Sequence, residues 1–172
     1  MPSILGRSWS DRPTMSGVSA AAVPPRAPHR ARRRFGLMSP RTTLPPLTEE
    51  EKRKALAKGV REFNSWRFYD CHETLEDVWR AEDGRLADFF QGIIKVAAAF
   101  HHLLRGNHRG AVNLLGHALT LLTPYRPACL GVDVQRLIDE ASACYERLRA
   151  LGPKRIGEFD RSKLPRIKME GL

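Results

Sequence analysis

The chain has 172 residues, of which 42% are hydrophobic and 28% are charged, as is typical of one globular domain with a packed core. No apolar run reaches the roughly 18 residues that a membrane-spanning helix needs, which excludes a transmembrane helix. The three cysteines, Cys71, Cys129 and Cys144, include no CxxC pair, which argues against a disulfide framework and against a thiolate zinc site. We therefore predict a cytoplasmic protein with reduced thiols.

The net charge of +10 comes mainly from the first 48 residues. This segment holds eight of the 29 basic residues, all of them arginines, and one of the 19 acidic residues, Asp11. The remaining 21 basic and 18 acidic residues leave the rest of the chain nearly neutral. We therefore expect no specific nucleic-acid surface on the folded domain, and at most weak, non-specific contact between the basic leader and phosphates.

Residues 1–47 are predicted to form a disordered leader, because they are rich in Arg, Ala, Ser and Pro and lack apolar periodicity. The segment has no apolar stretch of the kind found in a secretory signal. Its composition is shared by organelle transit peptides and by low-complexity basic tails. In an alternative interpretation, translation starts at Met38 and the preceding residues are not part of the protein.

Apolar periodicity and helix-end signals predict five helices, over about 49–63, 66–82, 85–105, 108–123 and 134–151. Thr48 and Glu51 form a capping box before the first helix. Asn107 and Asp133 are predicted caps of the fourth and fifth helices, and Gly106 is predicted to end the third. No segment alternates with period two, so we expect no strands.

These elements predict an all-α fold, a compact bundle of about five helices over residues 48–151 with short, antiparallel connections. Residues 152–172 contain Gly157 and Pro165 and are predicted to form an extended C-terminal arm over the surface. His108 and His117 fall on the polar side of the fourth helix, where we expect them to be solvated. Apolar surface on the fourth and fifth helices could support a homodimer.

The second helix carries a histidine on its apolar stripe. On a helical wheel, His72 lies within about 60° of Phe68, Leu75 and Trp79, which mark the face expected to be buried. Glu76 lies one turn later, at the margin of the same stripe. Their Cβ atoms would be roughly 6 Å apart, so the two side chains can contact each other or share a ligand.

The third helix offers a matching pair, Gln91 and His102, whose separation of eleven residues returns to within about 20° of the same direction. His101 points further round and is predicted to be peripheral. The second and third helices are joined by a short turn and should lie side by side. We therefore expect His72 and Glu76 to face the polar stripe of the third helix.

Burying such polar groups costs several kcal/mol unless they are compensated. Three arrangements can supply the compensation. The first is a divalent metal, with zinc, iron or manganese suited to imidazole and carboxylate ligands. The second is a closed hydrogen-bonded network of His72, Glu76, Gln91 and His102. The third is a metal-free polar pocket in which His72 acts as a base and Glu76 orients it.

Two sequence blocks resemble a known family. The first block runs from Phe63-Asn64 to Trp79-Arg80 and contains HxxxExxW as His72, Glu76 and Trp79; the second runs from Gln91-Gly92-Ile93-Ile94 through His102 to Gly110-Ala111. Together they resemble the bacterial and archaeal domain of unknown function 309 family over residues 48–125, and further towards 151. The resemblance implies a small all-α bundle and a suspected metal-binding role for the motif. It implies no established reaction, and it maps the family's second histidine to His102.

The leading functional hypothesis is a buried His/Glu site for a divalent metal, with His72, Glu76 and His102 as candidate ligands. In this hypothesis Glu73 and Gln91 orient the ligands, and Trp79 packs beside them. If the protein is an enzyme, metal-assisted hydrolysis is the reaction that this chemistry favours. The alternative hypothesis is a non-catalytic interaction module whose polar cluster only fixes helix packing.

Overall fold

The computed structural model describes residues 47–172, except Asp83. Five α-helices form the fold: α1 (Glu49–Asn64), α2 (Phe68–Ala81), α3 (Ala87–Leu104), α4 (His108–Leu122) and α5 (Val134–Leu151). Their ends lie within two residues of the predicted ends, and the predicted all-α class is confirmed. The predicted leader, apart from Leu47, and the start at Met38 lie outside the described residues.

α3 is the central helix, packed between α2 and α4, while α5 packs against α4. A cluster of phenylalanines joins the first three helices, because Phe63 at the end of α1 and Phe68 at the start of α2 both contact Phe100 of α3, with ring centroids 6.1 and 5.7 Å away. This cluster anchors the start of α2, the helix that carries the candidate site. None of the described helices combines the length and apolar character needed to cross a bilayer.

The predicted helix caps are confirmed. The backbone N–H of Thr48 donates to the Glu51 carboxylate at 2.8 Å, and the N–H of Glu51 donates back to the Thr48 hydroxyl at 3.2 Å. Asn107 caps α4 by accepting a hydrogen bond from the N–H of Gly110 at 2.9 Å. These local bonds satisfy N–H groups that have no partner within the helix, which explains why the helix starts could be predicted from sequence.

The prediction for His108 is wrong. Its side chain is half-buried, and its Nε2 donates a hydrogen bond to the backbone carbonyl of Leu148, at 2.8 Å. The acceptor belongs to α5, forty residues further along the chain, so the pattern of α4 alone did not reveal it. His117, by contrast, is exposed as predicted.

The C-terminal segment differs from the predicted surface arm. It contains 3₁₀ helices at Pro153–Glu158 and Arg161–Lys163, and the side chains of Phe159, Leu164 and Ile167 are buried. The segment is therefore part of the core, because its apolar side chains cover surfaces that the five helices leave open.

The absence of strands was also predicted incorrectly. A short antiparallel hairpin joins β1 (Ala128–Cys129) to β2 (Val132–Asp133), and Val132 forms a further bridge to Met169 of the C-terminal segment. Asn64 of α1 extends this pairing through its side chain, which donates to the carbonyl of Ile167 at 2.9 Å and accepts from its N–H at 2.8 Å. Strands of two residues are too short to produce a period-two pattern.

Candidate functional site

One turn of α2 brings an imidazole and two carboxylates together. Nδ1 of His72 lies 3.3 Å from Oε1 of Glu73 and 3.6 Å from Oε2 of Glu76. One ligand atom from each of the three side chains can be chosen so that all lie within 4.8 Å of one another. Glu76 is placed here by the one-turn spacing predicted from the sequence, whereas Glu73, predicted only to orient ligands, is itself a member of the group.

The group is half-exposed, which corrects the prediction of a buried site. The side chains of His72 and Glu76 retain 31% and 23% of their exposure, and that of Glu73 retains 55%. The buried face of α2 is formed by Phe68, Cys71, Leu75 and Val78. The centre of this stripe passes through Cys71 rather than through its neighbour His72. Trp79 is only half-buried and packs against the edge of the core.

Arg80 forms an ion pair with the carboxylate of Glu76. Nη2 of Arg80 lies 2.6 Å from Oε1 of Glu76, so the oxygen on the far side of Glu76 from His72 is already paired. Arg80 is largely exposed, and an exposed pair of this kind contributes at most about 1 kcal/mol. Glu73, Glu76 and Arg80 also line a cavity of about 280 Å³ together with Lys58, Thr74 and Asp77. The carboxylates are therefore accessible from that side.

The polar residues of α3 form its partly exposed stripe rather than a core-facing one. Gln91, Lys95, Ala98, His101 and His102 are all half-buried, while most of the remaining surface of α3 is buried. Towards the C-terminal end of this stripe a second cavity, of about 180 Å³, opens between α3 and α2. It is lined by Phe68, Tyr69, His72, Ala98, His101 and His102. His101, predicted to be peripheral, therefore shares this cavity with His72 and His102.

The predicted network of His72, Glu76, Gln91 and His102 is not formed. Nδ1 of His72 faces Glu73 and Glu76, whereas Nδ1 of His102 lies 3.0 Å from Nδ2 of Asn107. Gln91 shares a direction with His102 on the wheel, but eleven residues of helix separate the two by about 16 Å along the axis. A helical wheel shows the direction of a side chain but not its position along the helix axis. Gln91 was therefore predicted to join the cluster although it lies too far along the axis.

Two contacts were missed by sequence reasoning. Tyr69 lines the cavity, with its ring stacked on His72 at 6.3 Å between centroids and tilted against His101 at 5.8 Å. Asn107 was recognised only as a helix cap, although its amide also contacts His102. The spacing of five residues between His102 and Asn107, across a helix end marked by Gly106, is the signal that could have indicated this contact.

Comparison with known proteins finds a family match over the part of the chain that carries this site. Residues 56–114 match the family Domain of unknown function (DUF309). This match confirms the resemblance noted from the sequence. The DUF309 segment begins in α1 and ends in α4, so it contains all of α2 and α3 and every residue of the group around His72.

A curated relative is also similar to this chain. The uncharacterized protein YpuF of Bacillus subtilis (strain 168) is 29% identical over 102 residues. The aligned region covers 57% of this chain and 59% of YpuF, so the chain spans about three fifths of the length of that relative. The similarity supports a shared domain, and it carries no reaction or ligand with it.

Proposed function

We propose that His72, Glu73 and Glu76 bind a divalent transition-metal ion. The spacing of the ligand atoms supports this proposal. Tetrahedral ligands at the usual 2.0–2.2 Å from a zinc ion are about 3.4 Å from one another. The distances of 3.3 and 3.6 Å from Nδ1 of His72 to the two carboxylates are close to this value, and the three ligand atoms lie within 4.8 Å of one another.

The donor set narrows the choice of ion. One imidazole and two carboxylates suit zinc, iron or manganese, whereas calcium and magnesium prefer oxygen ligands alone. All three ligands come from one face of one helix, so the outward side of the ion would be open to solvent. In this proposal Glu73 takes the ligand position that the sequence analysis predicted for His102, because Glu73 is the residue within reach of His72.

An open coordination position is a feature of catalytic rather than structural metal sites. A bound ion of this kind would lower the pKa of a water molecule and so make it available for hydrolysis. The cavity of about 280 Å³ beside the carboxylates would admit a ligand. Metal-assisted hydrolysis in the cytoplasm is therefore the activity that we propose for this site.

The metal proposal is tested by elemental analysis and calorimetric titration of the full chain, purified without a histidine tag. Zinc, manganese and ferrous ions are titrated separately into the apoprotein. We expect one saturable site for at least one ion, abolished in His72→Ala and retained in the matched control His117→Ala, whose imidazole is exposed on α4. Absence of saturable binding, or equal binding by His72→Ala, would reject the proposal and favour the non-catalytic interaction module instead.

A further inference from the structure

The cavity of about 180 Å³ next to the proposed metal site brings three imidazoles to one small space. Its volume corresponds to about six water molecules, at roughly 30 Å³ each, and is below the range of drug-sized ligand pockets. No carboxylate lines it. Glu73 and Glu76 lie on the other side of His72 and line the separate cavity of about 280 Å³. The ligand must therefore be small.

The tautomer of His102 follows from its contact with Asn107. The side-chain oxygen of Asn107 accepts a hydrogen bond from the N–H of Gly110 at 2.9 Å, which fixes the orientation of the amide. The amide nitrogen, 3.0 Å from Nδ1 of His102, can only donate. Nδ1 of the neutral imidazole must therefore be the acceptor, and the proton resides on Nε2. Nε2–H is then the ring group that remains to meet a ligand.

The tautomer of His101 follows from the same logic. Its Nε2 lies 3.4 Å from Nη1 of Arg105, and a guanidinium has donors but no acceptor. Nε2 of His101 is therefore the acceptor, and the proton of the neutral ring resides on Nδ1. Burial, together with the charges of Arg105, His102 and His72, lowers the pKa of His101, which favours this neutral form. Two neighbouring histidines are thus held with an N–H as the remaining polar group.

We propose that this cavity binds the oxyanion group of a small ligand, a phosphate or a carboxylate, through the N–H groups of His101 and His102. Two N–H donors on rings whose centroids are 6.2 Å apart complement the paired oxygens of such a group, and the guanidinium of Arg105 lies 3.4 Å from the His101 ring. Tyr69 lines the same cavity, with its ring centroid 5.8 Å from that of His101. This binding requires no metal at His72, so it is independent of the function proposed above.

The test is an NMR titration of the metal-free full chain with sodium phosphate and, separately, with sodium acetate. The titrations are made at constant ionic strength and about pH 8, where an ordinary histidine with a pKa of about 6.5 is neutral. We expect one anion to give saturable shifts of the ring ¹H and ¹⁵N signals of His101 and His102. The anion that saturates at the lower concentration identifies the class of oxyanion. Failure of both anions to give saturable shifts would overturn the proposal.

Two variants and a control sharpen this experiment. Asn107→Ser keeps an oxygen that caps α4, but its side chain is too short to hold Nδ1 of His102, so we expect affinity for the anion to fall about 5- to 10-fold. His102→Ala should abolish binding, whereas His117→Ala should leave it unchanged. Wild-type affinity in Asn107→Ser or His102→Ala, or a parallel shift of the His117 ring, would contradict the proposal.

Discussion

Trp66 and Gly106 occupy the same position in the same helix-ending motif. Each follows the C-cap residue of its helix, α1 or α3, and each has a positive φ, 63° and 74° respectively. The N–H of Trp66 bonds the carbonyl of Phe63 as the N–H of Gly106 bonds that of Leu103, and the next residue completes a Schellman motif in both cases. Only glycine adopts this conformation without a steric cost, so Trp66 holds its position under strain.

The strain predicts that Trp66→Gly stabilises the protein. Relief of the left-handed conformation is worth about 1–2 kcal/mol, and the loss of packing by an indole that is 46% exposed, together with the greater freedom of the unfolded chain, offsets part of it. We expect the free energy of unfolding to rise by about 0.5–1 kcal/mol, measured by urea denaturation.

Gly106→Ala is the matched control for this prediction. A Cβ at Gly106 meets no atom within 4 Å, so this change reports the backbone conformation alone and should destabilise by about 1–2 kcal/mol. A loss of stability in Trp66→Gly would mean that packing of the indole outweighs the strain.

Gly110 is predicted to be essential for the contact between Asn107 and His102. A Cβ at this position would lie 2.9 Å from Nδ2 of Asn107 and 3.0 Å from Cγ of His102. Asn107 cannot withdraw freely because it caps α4, and His102 is in contact with Asn107. We therefore expect Gly110→Ala to destabilise the protein by about 1–3 kcal/mol and to change the ring signals of His102. Thermal unfolding and NMR measure the two effects.

Gly116→Ala, on the same helix, provides the comparison. Its added Cβ would make an ordinary contact of 3.5 Å with the ring of Tyr145, and alanine is favoured over glycine inside a helix by up to about 1 kcal/mol. This variant should be as stable as the wild type or more so. Equal effects of the two substitutions would show that the space around Gly110 is not limiting.

Arg80 is expected to weaken metal binding, because its guanidinium occupies one oxygen of Glu76 at 2.6 Å. Replacement by methionine keeps an unbranched apolar stem and removes the competing charge. We expect Arg80→Met to raise the affinity for the divalent ion by up to about 5-fold, as follows from a pair worth up to about 1 kcal/mol. Arg149→Met, which removes an exposed pair with Glu146 on α5, should leave the titration unchanged. Weaker binding in Arg80→Met would indicate that Arg80 orients Glu76 rather than competes for it.

Cys71 predicts how stability responds to alkaline pH. Burial, with the nearby Glu62 carboxylate adding to it, raises the pKa of the Cys71 thiol from 9.0 to about 12. The folded thiol stays protonated where the unfolded one ionises, so its contribution is complete below about pH 9 and is lost as the pH rises towards 12. Between pH 8 and 10.5 the wild type should lose on the order of 2 kcal/mol through this group.

Urea unfolding of Cys71→Ala at the two pH values isolates this contribution. The variant should start from a lower stability, because a buried sulfur is lost, but it should decline less than the wild type between pH 8 and 10.5. Other groups that titrate in this range, including Cys144, whose burial raises its pKa to about 11, affect both proteins alike. Equal declines would show that the thiol of Cys71 ionises as readily in the folded state as in the unfolded state.

The helices of this protein follow from its sequence because their signals are local. The capping box of Thr48 and Glu51 acts over three residues, and apolar periodicity reports the helical face within a few turns. The one-turn spacing of His72 and Glu76 was predictable in the same way. None of these inferences needed to know what lies opposite each helix.

Tertiary packing decided the rest, because it depends on height, rotation and partners distant in sequence. In the packed structure α2 is oriented so that Cys71 is buried and His72 is half-exposed. The polar group therefore lies at an accessible surface and not in a sealed core. The bonds between Asn64 and Ile167 join residues 103 positions apart, which no local pattern encodes. Whether a side chain is covered is settled by surfaces that meet only when the chain has folded.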